Sequence, residues 1–162
     1  PITDDAFDRL IVEPLIAARH VGESAGRLVD VGSGGGSPAI PLAIAKPWRS
    51  VVMVEAKLKK AAFLGEVVRG LALSNASVEP VTVQNLALAS AFKSSASHVS
   101  VRAVRFDASL GRAIRNLLAP GGEVLWFRSA ADSAVSADGF SVERVHPLVA
   151  TLSSELAFLR SV

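Results

Sequence analysis

The chain has 162 residues, of which half are hydrophobic and 20% are charged, and it carries a net charge of +2 with a pI of about 9.4. Length and composition are those of one folded domain rather than a disordered chain. The absence of cysteine excludes disulfides, cysteine-ligated zinc and thiol nucleophiles. Since no apolar run reaches the roughly 18 residues of a membrane span, we expect a cytoplasmic protein without a membrane partner. Its weak positive charge permits an anionic partner without requiring one.

Hydrophobic spacing predicts helices and strands that alternate along the chain. The first half contains, in order, a helix over 5–20, a strand over 27–31, a helix over 38–45, a strand over 50–54, a helix over 57–73 and a strand over 78–83. The second half contains a short helix over 86–92, a strand over 98–104, a helix over 106–117, a turn over 119–122, a strand over 123–128 and two closing strands over 140–146 and 155–160.

This alternation predicts an α/β fold with helices on both faces of a mostly parallel sheet. The two closing strands have no helix-length spacer between them, so we expect them to form an antiparallel hairpin. The sequence therefore predicts a doubly wound, mostly parallel, Rossmann-like sheet of about seven strands, in one domain made of a helical lead-in (1–26) and a core (27–162). Ligands of such sheets bind at the carboxyl ends of the strands.

The loop after the first strand, DVGSGGGSP at 30–38, has four glycines in five positions. A phosphate-binding P-loop is excluded because Ser37 and Pro38 stand where it needs lysine followed by serine or threonine. The spacing Gly32, Gly34, Gly36 is typical of S-adenosylmethionine enzymes, and Asp30 just before it suits the ammonium of a methionine group. A dinucleotide fingerprint, whose third glycine would be Ser37, and a tight turn without ligand stay open.

An acidic residue ends the second predicted strand. Glu55 lies about 20 residues beyond the loop, where a carboxylate can accept hydrogen bonds from both hydroxyls of a ribose. This feature suits both S-adenosylmethionine and a dinucleotide, so it favours an adenosine-containing ligand without choosing between them.

Four stretches together resemble a known family: LVDVGSGGGSPAIPLAIAKP, VEAKLKKAAFLGEVVRGLAL, VRAV and LLAPGGEVLWFRS. They are similar to the bacterial small-subunit ribosomal RNA guanine-N7 methyltransferases, also called glucose-inhibited division protein B. The continuation of the glycine loop into Pro-x-Ile-Pro-Leu is the most specific match. The resemblance implies S-adenosylmethionine as cofactor and ribosomal RNA, or the small ribosomal subunit, as partner of a monomeric enzyme without a metal.

The resemblance and the loop together give a candidate site. The expected cofactor-binding residues are Asp30, Gly32, Ser33, Gly34, Gly36, Ser37, Glu55, Ala56, Val83, Gln84 and Arg102. The expected substrate-binding residues are Arg102, Arg105 and Arg128.

The chain departs from the family pattern at several positions: Thr82 replaces an arginine, Gln84 and Asn85 replace two acidic residues, Val101 replaces a serine, and His98 replaces an aspartate. These departures motivate an alternative hypothesis, in which the chain binds cofactor or RNA without turnover or methylates another substrate.

Methylation at guanine N7 makes modest chemical demands. N7 is already an unprotonated acceptor, so no general base is required and catalysis comes from positioning. This agrees with a sequence in which no strand end combines a histidine with a carboxylate, and Arg102 is the one candidate for a catalytic role. The arginines expected to bind RNA are Arg102, Arg105, Arg112, Arg115 and Arg128, and the aromatic residues considered for base stacking are Trp48, Phe106 and Trp126.

Overall fold

The computed structural model of the chain describes residues 3–134 and 137–162, so the first two residues of the predicted lead-in lie outside the described residues. Its strands are β1 (Arg27–Val31), β2 (Ser50–Val54), β3 (Ala76–Glu79), β4 (Ala96–Arg102), β5 (Leu118–Ser129), β6 (Phe140–Pro147) and β7 (Ser154–Ser161). They form one sheet in the order β3-β2-β1-β4-β5-β7-β6.

The strand directions confirm the predicted fold class. Strands β1 to β5 pair in parallel, whereas β7 is antiparallel to both β5 and β6. The C-terminal hairpin therefore lies with β7 inside the sheet, and β6, which forms the edge, runs in the same direction as β1 to β5.

Helices cover both faces of the sheet. They are α1 (Asp4–Phe7), α2 (Glu13–Ala18), α3 (Ala39–Ala45), α4 (Leu58–Gly70), α5 (Val83–Leu86) and α6 (Ala108–Leu117). Alternate residues of each strand point to opposite faces, and two hydrophobic clusters result. One cluster joins Val29 and Val99 to α5 and α6, and the other joins Leu28 and Met53 to α2, α3 and α4.

The predicted N-terminal helix is interrupted. A π-helical turn over Asp8–Val12 connects α1 to α2, and the Glu13 amide donates to the carbonyl of Asp8. Pro14 explains the interruption, because it has no N–H for the carbonyl of Leu10 and its ring crowds that carbonyl. We call Asp4–Ala18 the N-terminal helical segment.

The predicted boundaries around β3 and α5 are wrong. The strand predicted over 78–83 ends at Glu79, before Pro80, and Val83 begins α5 instead. Thr82 caps this helix, since its hydroxyl accepts from the Asn85 amide at 3.2 Å. Helix α5 ends at Leu86, so the helix predicted over 86–92 overlaps it at one residue, and 87–92 form turns instead.

The predicted turn at 119–122 belongs to β5, which starts at Leu118. The register with β4 shifts from Ala96 opposite Leu118 to His98 opposite Glu123, so Ala119, Pro120, Gly121 and Gly122 form a bulge. Strand β4 itself spans Ala96–Arg102 rather than 98–104.

Candidate functional site

The glycine loop follows β1 directly and uses backbone conformations that favour glycine. Gly32, Gly34 and Gly36 have φ values of +66°, +54° and +98°. The Ser33 amide donates to the carbonyl of Val54 at 3.0 Å, which fixes the loop to the end of β2. A Cβ on Gly36 would overlap the terminal methyl of Ile40, so a larger residue here would also require the Ile40 side chain to move.

Glu55 lies beside this loop, as the sequence predicts. Its side chain is 7% exposed; one carboxylate oxygen accepts from the Gly34 amide at 2.9 Å and the other from the Lys57 amide at 2.8 Å. A carboxylate offers about four acceptor sites. Glu55 can therefore bind both backbone amides and still accept hydrogen bonds from two hydroxyls.

A cavity of about 360 Å³ opens at the carboxyl ends of β1 and β2. We call it the strand-end cavity. Its walls combine apolar side chains with a few polar groups, and it is lined by Val31, Gly32, Val54, Ala56, Val81, Thr82, Val83, Gln84, Val104, Arg105, Asp107 and Leu110. Four predicted cofactor-binding residues thus share this cavity, and Arg105, predicted to bind substrate, lies with them.

A second cavity, of about 340 Å³, lies at the carboxyl ends of β4 and β5. We call it the arginine cavity, because it is lined by Arg9, Glu13, Arg102, Ala103, Phe127, Arg128, Ser129, Asp132, Leu152 and Ser154. Two of the predicted substrate-binding residues, Arg102 and Arg128, therefore border the same space.

Arg102 and Arg128 are both paired with carboxylates. Arg102 donates to Glu13 at 2.7 Å, and Arg128 donates to Glu155 at 2.7 Å. Burial lowers the pKa of Arg102, and the charge of Glu13 counteracts this. One guanidinium nitrogen of Arg128, Nη1, is buried without a hydrogen-bond partner among the described residues.

Asp30 is buried more deeply than its predicted role requires. It is 1% exposed, and its carboxylate oxygens accept hydrogen bonds from the hydroxyls of Ser33 and Ser100, both at 2.6 Å. Burial raises its pKa to about 6, although both hydroxyls act in the opposite direction. The sequence offered no signal for Ser100, a serine within an apolar strand.

Ser37 and Gly36 do not line the strand-end cavity. They line an apolar cavity of about 440 Å³ together with Leu10, Ile11 and other apolar residues. The hydroxyl of Ser37 donates to the carbonyl of Leu10 at 2.7 Å, and Arg102 donates to the Ser37 oxygen at 3.5 Å. The predicted cofactor-binding residues are therefore distributed over several cavities, of which the strand-end cavity and the apolar cavity both border the glycine loop.

Neither the strand-end cavity nor the arginine cavity is lined by Arg115, Phe106 or Trp126. Arg115 lies over the ring of Phe140 at 5.7 Å and donates to the carbonyl of Asp138, outside the arginine cavity. Phe106 and Trp126 are buried in the core, at 8% and 7% exposure, so neither can stack on a base.

The expectation that no strand end pairs a histidine with a carboxylate is wrong. Nε2 of His98 lies 4.0 Å from Glu123, because β4 and β5 place these residues opposite each other. The pair lies toward the amino ends of both strands, at the far end of the sheet from the glycine loop.

Solved methyltransferases share this fold. The mitomycin 7-O-methyltransferase MmcR superposes with a TM-score of 0.75 at 20% identity, covering 93% of this chain and 53% of that one. An O-methyltransferase from neocarzinostatin biosynthesis, solved with S-adenosylmethionine and 2-hydroxy-5-methyl naphthoic acid, gives 0.71 at 17% identity, covering 90% and 52%. The chain therefore shares the fold of these two methyltransferases.

Sequence comparison gives the family. The rRNA small subunit methyltransferase G family matches residues 3–149, and the chain belongs to it. Similar relatives are the ribosomal RNA small subunit methyltransferases G of Xanthomonas axonopodis pv. citri (strain 306), 35% identical over 91% of this chain, and of Xylella fastidiosa (strain 9a5c), 38% identical over 86%. The chain spans 66% and 65% of their lengths, respectively.

Two features are absent from residues 3–134 and 137–162, a membrane-spanning helix and a metal-binding cluster. No helix in these ranges is long and apolar enough to cross a membrane. Nor do these ranges contain a group of three or more His, Cys, Asp or Glu side chains that could hold a metal ion.

Proposed function

We propose that this chain is an S-adenosylmethionine-dependent methyltransferase that methylates small-subunit ribosomal RNA at N7 of a guanine. The observation that carries the proposal is the meeting of the glycine loop, the Glu55 carboxylate and the strand-end cavity at the carboxyl ends of β1 and β2. Membership of the family supports the substrate class, since the relatives are named ribosomal RNA small subunit methyltransferases.

The residues of the strand-end cavity fit the adenosine part of this cofactor. Its volume lies in the range of small-molecule sites, and Val54, Val83 and Leu110 give it apolar walls that suit an adenine ring. Glu55 would hold the ribose hydroxyls, and the glycines would let the backbone approach the ligand closely. Asp30 would attract the ammonium of the methionine group.

The arginine cavity would hold the acceptor base. When bound, S-adenosylmethionine supplies an electrophilic methyl group on its sulfonium. The lone pair of N7 forms the new C–N bond while the S–C bond breaks, and no proton leaves N7. The protein must therefore align N7 with the methyl group and exclude water, which is catalysis by positioning.

Charge balance in this cavity suits the product. Methylation at N7 leaves the guanine with a positive charge, which unpaired arginines would oppose. Glu13 neutralises Arg102 and Glu155 neutralises Arg128, so both guanidinium groups can donate to the base or its phosphate without making the cavity strongly positive.

Contacts with the RNA backbone would come from exposed cations. Arg9, Arg105 and Arg112 are exposed and can approach phosphates, which contribute most of the sequence-independent affinity for nucleic acid. The target guanine would be unpaired or turned out of its helix, because N7 must enter a cavity. We infer a monomer acting on the small ribosomal subunit.

Calorimetric titration with S-adenosylmethionine tests the first step. We expect saturable binding, and absence of binding at millimolar ligand contradicts the proposal. Binding without any methyl transfer to small subunits would instead support the alternative hypothesis of a chain that binds without turnover.

Arg102→Ala tests the arginine cavity. Because the side chain lines this cavity, we expect the turnover of the folded variant to fall by about 100-fold, together with a loss of stability because Glu13 stays buried without its cation. Initial rates and thermal unfolding of the same preparation measure both. Wild-type turnover in this variant would remove Arg102 from the proposed site.

A further inference from the structure

Two residues of the proposed site are held by the N-terminal helical segment rather than by the sheet alone. Arg102, at the end of β4, donates to Glu13, and Ser37, in the glycine loop, donates to the Leu10 carbonyl. Both hydrogen bonds are 2.7 Å long. Arg102 also donates to the Ser37 oxygen at 3.5 Å. The N-terminal helical segment, Arg102 and Ser37 are therefore linked by a continuous series of polar contacts.

The contact with Ser37 has a specific origin in the sequence. In a regular α-helix the Leu10 carbonyl would accept from the amide of residue 14, which is Pro14 and has no N–H. The segment forms a π-helical turn there, and the Leu10 carbonyl accepts from the hydroxyl of Ser37. Turns of this kind occur frequently at functional sites.

The contact with Arg102 is buried and charged. The side chains of Glu13 and Arg102 are 4% and 13% exposed, and the Arg102 guanidinium also lies 5.7 Å from the centre of the Phe127 ring. Arg102 is therefore restrained on several sides, and Glu13 provides the only charged partner among its hydrogen bonds in the described residues. A paired guanidinium in this setting keeps one orientation toward the arginine cavity.

We propose that the N-terminal helical segment is a functional part of the site, in which Glu13 is a positioning residue for Arg102 and the Leu10 carbonyl positions Ser37. The segment would thereby set the geometry of the arginine cavity and of the glycine loop. This inference rests on the proposed function, since positioning is measured through cofactor affinity and methyl transfer.

The first experiment is a mutant cycle on the charged contact. We expect Glu13→Gln to lower kcat/KM for methyl transfer by about 10- to 100-fold, mainly through kcat. In an Arg102→Ala background, the same substitution should change kcat/KM by less than about twofold, because Glu13 acts through Arg102. A merely structural role would give additive losses in both backgrounds.

The second experiment removes the other contact without changing Ser37. Pro14→Ala supplies the missing N–H, so the Leu10 carbonyl can return to a regular helical bond. We expect affinity for S-adenosylmethionine to fall about three- to tenfold, although the helix gains stability. Ser37→Ala should cause a similar loss, and the double variant should lose no more than either single one.

A control of similar burial is available toward the amino ends of β4 and β5. Glu123, whose side chain is 10% exposed, pairs with Arg144, and Glu123→Gln removes the same charge from an ion pair outside the site. We expect its kcat, KM and cofactor affinity to equal those of the wild type. If it lowered kcat/KM as much as Glu13→Gln, the effect would be general destabilisation and the inference would be wrong.

The outcomes separate the two proposals. A wild-type chain that neither binds S-adenosylmethionine nor transfers methyl groups contradicts the proposed function and this inference together. An active wild type, with wild-type kcat/KM in Glu13→Gln and wild-type affinity in Pro14→Ala, contradicts this inference alone. If Glu13→Gln does not fold, Pro14→Ala and its cycle with Ser37→Ala decide the inference.

Discussion

The two ends of the parallel sheet both contain buried charged side chains, but they differ in how those side chains are bound. At the carboxyl ends, Glu55 lies between two residues that line a cavity of about 360 Å³, Val54 and Ala56, and Arg102 lines one of about 340 Å³. At the amino ends, Glu123 accepts two hydrogen bonds from Arg144 and one from Arg160. Arg49, 1% exposed, donates to the hydroxyl of Ser97 and the carbonyl of Gly22 and contacts His98 at 3.0 Å.

This difference shows that burial of charge alone does not identify a functional site. Glu55 retains acceptor capacity next to a space of ligand size, whereas the carboxylate of Glu123 is bound by arginines from two other strands. We therefore assign the carboxyl end to chemistry and the amino end to stability. Substitutions at the two ends should separate affinity from stability.

The largest effect is expected from Gly34→Val. Gly34 has a φ of +54°, which is unfavourable for a β-branched residue. The valine side chain would also block the approach of a ligand to the loop. We expect affinity for S-adenosylmethionine to fall by about a thousandfold or more.

Gly121→Val is the matched control, since Gly121 has a φ of +76° with no atom near its Cβ position. The control should lose stability and keep its cofactor affinity; unchanged affinity in Gly34→Val would refute the assignment of the loop.

The next effect concerns stability against pH at the amino end. Burial and the charge of Arg49 lower the pKa of His98 to about 4, against an ordinary value of 6.5. Between these two pKa values the imidazole is protonated in the unfolded chain and neutral in the folded protein. Stability therefore falls as the pH drops from 6.5 toward 4. By pH 4.5 the loss should be about 2.5 kcal/mol. Urea unfolding at pH 7 and 4.5 should show a change in stability that is about 2.5 kcal/mol less favourable in the wild type than in His98→Asn, since the other titrating groups are common to both proteins.

A somewhat smaller effect is expected for Glu123→Gln. Removing one partner of a largely buried ion pair is destabilising, but Arg144 is 39% exposed and solvent reduces the cost. We expect a loss of about 2 kcal/mol at pH 7. The arginines lower the pKa of Glu123 below 4.5, so its stabilisation is present above that pH and is lost as the pH falls through the lowered value. Equal stability of wild type and variant at pH 7 would contradict the assignment.

The smallest effect is a pH dependence of affinity at the carboxyl end. Burial raises the pKa of Asp30 from 3.8 to about 6, which lowers folding stability as the pH rises through this interval. An ammonium group prefers the ionised carboxylate, so affinity for S-adenosylmethionine should rise about tenfold between pH 5 and pH 7. Calorimetry at both pH values should show this rise in the wild type and a flat response in Asp30→Asn.

Features formed by neighbouring residues could be predicted from the sequence. The glycine loop and Glu55 each follow a strand directly, so the strand pattern alone places them at one edge of the sheet. The prediction of a strand over 78–83 is wrong because Pro80 and the helix cap at Thr82 influence the backbone there more strongly than the β-branched residues do.

Contacts between distant residues could not be predicted. Glu13 and Arg102 are 89 residues apart, and Asp30 and Ser100 are 70 apart. His98 meets Glu123 only because the bulge at 119–122 sets the register of β5 against β4. These pairs depend on packing and register, which local periodicity does not encode.

Methyl transfer tests the central claim most directly. Small ribosomal subunits that lack the modification would be incubated with the chain and methyl-labelled S-adenosylmethionine, and the labelled nucleotide would then be mapped. The account predicts incorporation of about one methyl group per subunit, at N7 of a guanine, as expected when a single exposed base enters the cavity. Absence of incorporation by a chain that binds the cofactor, or a methyl group on another atom, would contradict it.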